Sequence, residues 1–180
     1  NINDIDIMVV GDGIGFAKKL ALKLGQNKTV PFPKFGTAII PNKNINIEVA
    51  TARTESYLNS SRKPTKVVYT DLKGDLCRRD FTINAMAMDI HPSSFGDLTD
   101  LFNGKMDINK KIIQTPLDPD ETFSEDPLRM MRAAYFSSKL NFKIEQSLLN
   151  SIKRTSHRIE IVSSERVRDE FIKILKTDKP

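Results

Sequence analysis

Cysteine is nearly absent from this sequence: Cys77 is the single example among 180 residues, so no disulfide within the chain can staple it. That usage fits a reducing compartment, and the cytoplasm is the expected location. Apolar runs are short, and none approaches the roughly 18 residues that a membrane-spanning helix needs. Asn1 to Asp6 lack the basic start and apolar stretch of a signal peptide. His91 and His157 stand far apart and without companions, which argues against a zinc cluster. Aromatic residues are not gathered into a base-stacking platform. Glycine and proline are modest, at 8 and 9 residues, and no repeat or low-complexity segment occurs, which sets aside fibrous and disordered classes. What remains is an ordinary globular balance, long enough for one compact domain or a small domain with a helical extension. Its net charge of +5 permits an anionic partner without demanding one.

Hydrophobic spacing then divides the chain. Ile5, Ile7 and Val9 alternate with Asp4, Asp6 and Met8, the period of a strand with one buried face. Gly11 and Gly13 turn the chain into a helical stripe of Phe16, Ala17, Leu20 and Leu24, stopped by Gly25. Strands are expected over Lys34 to Ile40 and Ile45 to Thr51, joined by a hairpin turn at Pro41 to Asn44. Ser60 to Lys66, polar and containing Pro64, reads as a surface loop. From Leu72 the pattern becomes mainly helical, with short helices expected over Leu76 to Ala87 and Asp97 to Asn103, the second ended by Gly104. Thr115 to Glu121 is an acidic, proline-bearing junction. Helices are expected beyond it at Asp126–Leu140, Glu145–Thr155 and Ser164–Leu175, the last with a stripe of Val167, Phe171, Ile174 and Leu175. The fold class is therefore α+β, a small mixed sheet with helices followed by an all-helical part.

Asp4 and Asp6 lie two residues apart on the first strand, so both carboxylates leave the same face while Ile5 and Ile7 anchor the other. Two carboxylates this close repel unless a cation lies between them, and a hard divalent ion such as Mg²⁺ is the natural occupant. A later strand repeats the pattern: Asn46, Glu48 and Ala50 face one way, Ile45, Ile47 and Val49 the other. If it lies beside the first, Glu48 completes a three-carboxylate site. Two ions held there would activate a 3′-hydroxyl and stabilise a leaving pyrophosphate. Taken alone, however, Asp-x-Asp is more simply read as a solvated strand face.

The segment Cys77-Arg78-Arg79-Asp80-Phe81-Thr82-Ile83-Asn84-Ala85-Met86-Ala87 changes that balance. Here the chain resembles the bacterial-type, class II branch of the polymerase-β-like nucleotidyltransferases, the CCA-adding enzymes and poly(A) polymerases. Their signature Arg-Arg-Asp-Phe-Thr-x-Asn-Ala is present without substitution, and their Glu-Asp-x-x-Arg motif appears as Glu125-Asp126-Pro127-Leu128-Arg129. Asp4, Asp6, Glu48, Arg53 and the linking Asp100-Leu101-Phe102-Asn103-Gly104 follow in the family's order. The resemblance implies a polymerase-β-like head over residues 1–117, N-terminally incomplete, and a helical neck over 118–180 that reads the base and begins the RNA-binding region. It implies Mg²⁺ on Asp4, Asp6 and Glu48, CTP and ATP as nucleotides, and a tRNA 3′ end as acceptor.

The remaining motif residues have physical rationales as well. A guanidinium offers a rigid fork for phosphate oxygens, and the resemblance assigns Arg79 to the triphosphate and Asp80 to the ribose. Asp80 and Asn84, at i and i+4, can share one helix face toward a ribose hydroxyl. Asp126 and Arg129, at i and i+3, can hold each other rigid while presenting edges to a base; CTP and ATP share the amino-beside-acceptor edge that such a pair would read. Arg132 matches a further family arginine at the nucleotide site, whereas Tyr135 stands where another arginine is usual. The family's opening Gly-Gly/Ser-x-x-Arg-Asp segment has no counterpart, and Gly11 and Gly13 read as turn residues; the tRNA-gripping body is expected beyond Pro180. Val30 to Gly36 lacks the arginine-rich segment of poly(A) polymerases, which favours CCA addition. Addition of CC or A alone, and a non-catalytic RNA- or nucleotide-binding module of the same fold, remain the alternatives.

Overall fold

The computed structural model describes residues 4–41, 45–58 and 61–180. The chain forms two compact units, residues 1–55 with 67–75, and residues 56–66 with 76–180. In the first unit β1 (Asp4–Val9) leads into α1 (Gly13–Lys23), followed by β2 (Val30–Phe32), β3 (Thr37–Ile40) and β4 (Asn46–Thr51). These strands form one mixed sheet in the order β1-β4-β3-β2. β1 runs parallel to β4, and the other neighbours are antiparallel. The expected turn at Pro41 to Asn44 includes residues 42–44, which lie outside the described residues. β3 starts later than its apolar pattern suggested, because Pro33 opens a 3₁₀ turn that Gly36 closes in the left-handed region.

Alternation sorts the sheet into two faces. Ala38 and Ile40 of β3 and Ile47 and Val49 of β4 meet Ala17 and Ala21 of α1, with Ile7, Val9, Ile14 and Leu20 packed around them. Each fully buried Ile or Val contributes about 1.5–3 kcal/mol of transfer free energy, and the alanines let helix and sheet approach closely. Ile5 departs from expectation: it is 41% exposed, because the α1 cover on β1 begins at Ile7. The start of α1 is fixed by Asp12, whose carboxylate accepts from the Gly15 amide at 2.8 Å. Gly13 is required there, since a Cβ would stand 2.7 Å from Thr51 Oγ1.

β5 (Arg53–Leu58) and β6 (Ser61–Tyr69) make a two-stranded ribbon. The loop expected over Ser60 to Lys66 is therefore strand from Ser61 onward. Each strand of such a ribbon has an unpaired edge, where a proline without an N–H is tolerated. α2 (Leu72–Cys77) follows.

In the second unit β7 (Met86–Met88) pairs antiparallel with β8 (Leu98–Asp100). α3 (Gly104–Lys110), β9 (Ile112–Ile113), α4 (Pro119–Glu125), α5 (Leu128–Leu140), β10 (Lys143–Ile144), α6 (Gln146–Thr155) and α7 (Ser164–Leu175) complete it. The last three helices lie close to where their periodicity placed them. The helix expected over Leu76 to Ala87 is instead α2, an extended residue at Phe81, a 3₁₀ turn over Thr82–Asn84, and β7. The Asp80 carboxylate accepts from the Phe81 amide at 2.9 Å, diverting that N–H from a helical ladder. The helix expected over Asp97 to Asn103 is β8, and Gly104 opens a helix rather than ending one.

Nor is the segment after 117 all-helical, because β10 pairs in parallel with β9. The second core crosses that position too: Phe81 and Ile113 pack with Phe123, Met130, Ala133 and Leu148. Phe81 meets Phe136 edge-on, with ring centroids 5.8 Å apart.

Candidate active site

Parallel pairing of β1 with β4 sets Asp4 opposite Asn46 and Asp6 opposite Glu48. Residues at paired positions share a face, so Asp4, Asp6 and Glu48 stand together on the side of the sheet away from α1, and all three are exposed. The sequence-based condition for a three-carboxylate site, that the two strands be neighbours, is met. The donor set is all oxygen, which suits a hard divalent cation rather than a zinc-type ion. Among the described residues, no three His, Cys, Asp or Glu side chains already close on one point. Like charges with nothing between them spread apart. The backbone register thus fits a cation while the side chains stay unconverged.

Arg79, Asp80, Asn84, Asp126, Arg129 and Arg132 all belong to the second unit. Asp80 is only 9% exposed and is held from three directions. Its Oδ1 accepts from the Phe81 amide and, at 3.1 Å, from Asn84 Nδ2, while Oδ2 accepts from Arg132 Nε at 2.7 Å. Asn84 therefore does stand beside Asp80, through a 3₁₀ turn rather than a shared α-helix face. Arg132 reaches the same carboxylate from α5, and its guanidinium lies 5.2 Å from the Phe136 ring centre. Three of the residues singled out in the sequence form one cluster. The half-buried Arg79 directly precedes it.

Asp126 and Arg129 are corrected in one respect: they do not pair with each other. Arg129 Nη1 donates to Glu125 at 2.9 Å and to the Thr122 carbonyl at 3.2 Å, and Nη2 donates to the Arg78 carbonyl at 2.7 Å. Asp126 caps the start of α5 through the Leu128 amide and takes a two-pronged bond from Arg166 of α7, at 2.9 and 3.3 Å. An i, i+4 partner suits a helical arginine better than the i−3 residue at the junction, where Asp126 has an extended backbone. Arg166 had no signal in local spacing, since it lies 40 positions from Asp126. At Tyr135, in place of the family arginine, the ring carries Lys139 Nζ 5.2 Å from its centre.

Beneath this cluster Asp120 joins α4 to α6. It accepts from the Ser151 hydroxyl and from Arg154 at 2.9 Å, and these bonds hold its carboxyl below the ordinary aspartate value. Among the described residues, no helix is long and apolar enough to cross a membrane.

Comparison with known proteins agrees with this geometry. The family described as "Poly A polymerase head domain" matches residues 1–114, and "Probable RNA and SrmB- binding site of polymerase A" matches residues 141–180. The A-adding tRNA nucleotidyltransferase of Aquifex aeolicus is 44% identical over 151 residues, covering 84% of this chain and 18% of that protein. The CCA-adding enzyme of Ligilactobacillus salivarius is 42% identical over 146 residues, covering 81% of this chain and 35% of that protein. Among solved structures, an apo form of a CCA-adding enzyme superposes with a TM-score of 0.86 at 36% identity, over 97% of this chain and 41% of that one. The Thermotoga maritima CCA-adding enzyme complexed with tRNA superposes at 0.84 and 33% identity, over 100% of this chain and 40% of that one. This chain thus spans well under half the length of these relatives. On the head-domain match and these identities, it belongs to the poly(A) polymerase head-domain family, together with the CCA-adding and A-adding tRNA nucleotidyltransferases.

Proposed function

We propose that this protein transfers nucleotides from CTP and ATP to the 3′ end of tRNA without a template, with residues 1–117 supplying the chemistry and residues 118–180 the base recognition. The observation that carries the reading is the Asp6–Glu48 register, which lines up Asp4, Asp6 and Glu48 on one exposed sheet face. These carboxylates would hold Mg²⁺, which when bound supplies charge stabilisation to the attacking and leaving oxygens. Arg79 binds the triphosphate, and Asp80, kept ionised by Arg132 and oriented by Asn84, accepts from a ribose hydroxyl. Asp126 accepts from the exocyclic amino group shared by CTP and ATP, and Arg129 donates to the adjacent ring acceptor. Solved relatives described as bound to CTP, to ATP and to tRNA support this assignment of ligands.

A second reading, addition of A alone, is favoured by the A-adding relative at 44% identity. The deciding experiment offers CTP and ATP, together and singly, to the full-length protein with tRNAs ending before CCA or after CC. Growth of the shorter tRNA by three residues supports CCA addition, and growth of the CC-ending tRNA alone supports the second reading. In either case Asp6→Ala lowers the rate by at least about 10³-fold. Near-normal incorporation by that variant overturns the carboxylate assignment.

A further inference from the structure

The Asp100–Gly104 segment stood out in the sequence, yet the proposed chemistry gives it no task. In the structure it delivers α3 against one residue, Thr82. The Asp100 carboxylate accepts from the Gly104 amide at 2.7 Å and the Lys105 amide at 2.9 Å, fixing where α3 begins. Gly104 then lies so near the Thr82 carbonyl that a Cβ on it would be 2.3 Å from that oxygen. One turn further on, Asp107 Oδ2 accepts from Thr82 Oγ1 at 2.6 Å and from Gln114 Nε2 at 2.7 Å. The Thr82 amide donates to the Gln114 carbonyl at 2.9 Å. Thr82 and Asp107 are each 2% exposed. Amide, carbonyl and hydroxyl of one buried threonine are therefore all fixed from the α3–β9 side.

Thr82 lies midway between Asp80 and Asn84, within the 3₁₀ turn that aims them. Apolar contact could hold α3 in place, but it would not set the direction of that turn. A carboxylate accepting from two donors does, and leaving it short of a partner costs about 1–3 kcal/mol. We propose that α3 is the positioning element of the ribose-reading turn, with Asp107 and Gly104 setting ribose selection through Thr82. This rests on Asp80 being the ribose contact. Neither Asp107 nor Gly104 touches substrate; each acts by holding the residue between the two that do.

The test compares kcat/KM for ATP with that for 2′-deoxyATP, added by the full-length protein to a tRNA ending in CC. Thr82→Val keeps the shape but removes the hydroxyl, and Thr82→Ser keeps the hydroxyl. Thr82→Val and Asp107→Ala narrow the ribose preference about tenfold, since small misplacements of a contact group are costly, while Thr82→Ser stays within about twofold of the parent. Near-ultraviolet circular dichroism checks the fold, and the valine–serine pair carries the test should Asp107→Ala fail to fold. Asp80→Ala runs in parallel. If Asp80→Ala narrows the preference but Thr82→Val slows both nucleotides equally, the positioning role is overturned and the ribose assignment stands. If Asp80→Ala leaves the preference unchanged, the ribose assignment falls and the inference falls with it.

Discussion

Asp126 and Arg129 sit three residues apart yet answer to different partners, Arg166 for the first and Glu125 with two carbonyls for the second. That division shapes how base selection responds to mutation. UTP presents a carbonyl and an N–H where CTP presents an amino group and an acceptor, so both proposed contacts turn unfavourable together. Asp126→Ala and Arg129→Ala should each lower the CTP-over-UTP ratio of kcat/KM by roughly 10- to 100-fold. Arg166→Ala should lower it less, because Asp126 loses its orientation but keeps its acceptor oxygens. Equal slowing of CTP and UTP by the first two variants would show that the base is read elsewhere. The motif residues were legible because their spacing is local. Arg166, Thr82 and Asp107 carried no such signal, since their partners lie 40 and 25 positions away and only the packing of α7 and α3 supplies them.

Among the elements, α5, α6 and α7 could be read from apolar period alone, because each lays a stripe against a neighbour and ends at a polar cap or turn. The segment from Asp80 to Gly104 could not. Its side chains bond to nearby backbone, as Asp80 and Asp100 do, and such bonds replace the helical ladder without altering hydrophobic spacing. The α4–α6 junction carries a pH dependence of its own. Hydrogen bonds from Ser151 and then Arg154 lower the folded-state pKa of Asp120, so its stabilising effect is complete above the unfolded value of about 3.9 and fades as pH falls through the folded one. Thermal midpoints of the parent and Asp120→Asn should therefore differ near neutrality and converge below about pH 3.9. A gap that stays constant down to strong acid would remove Asp120 from the acid response.

At the scale of the whole molecule, two cores rather than one organise the chain: Ala17 to Val49 in the first unit, and Phe81 to Leu148 in the second. The head limit expected at residue 117 agrees with where the head-family match stops, at 114, yet packing ignores it, because Phe81 and Ile113 share a core with Phe123. Composition does not change across that point, so spacing could not reveal it. Phe123→Ala should cost about 3–5 kcal/mol in denaturant unfolding, the range for a fully buried phenylalanine. A loss below about 1 kcal/mol would mean that the core closes around the gap. The β1–β4 pairing carries a last consequence, one of parity. Even-numbered positions of β1 meet solvent and odd-numbered ones, from Ile7, meet α1, so chemistry and core are two outcomes of one count. One residue inserted within β1 upstream of Asp4 would leave that count intact. The same residue inserted between Asp4 and Asp6 would place the two carboxylates on opposite faces, setting one against the helix, so that catalysis and folding would fail through a single error.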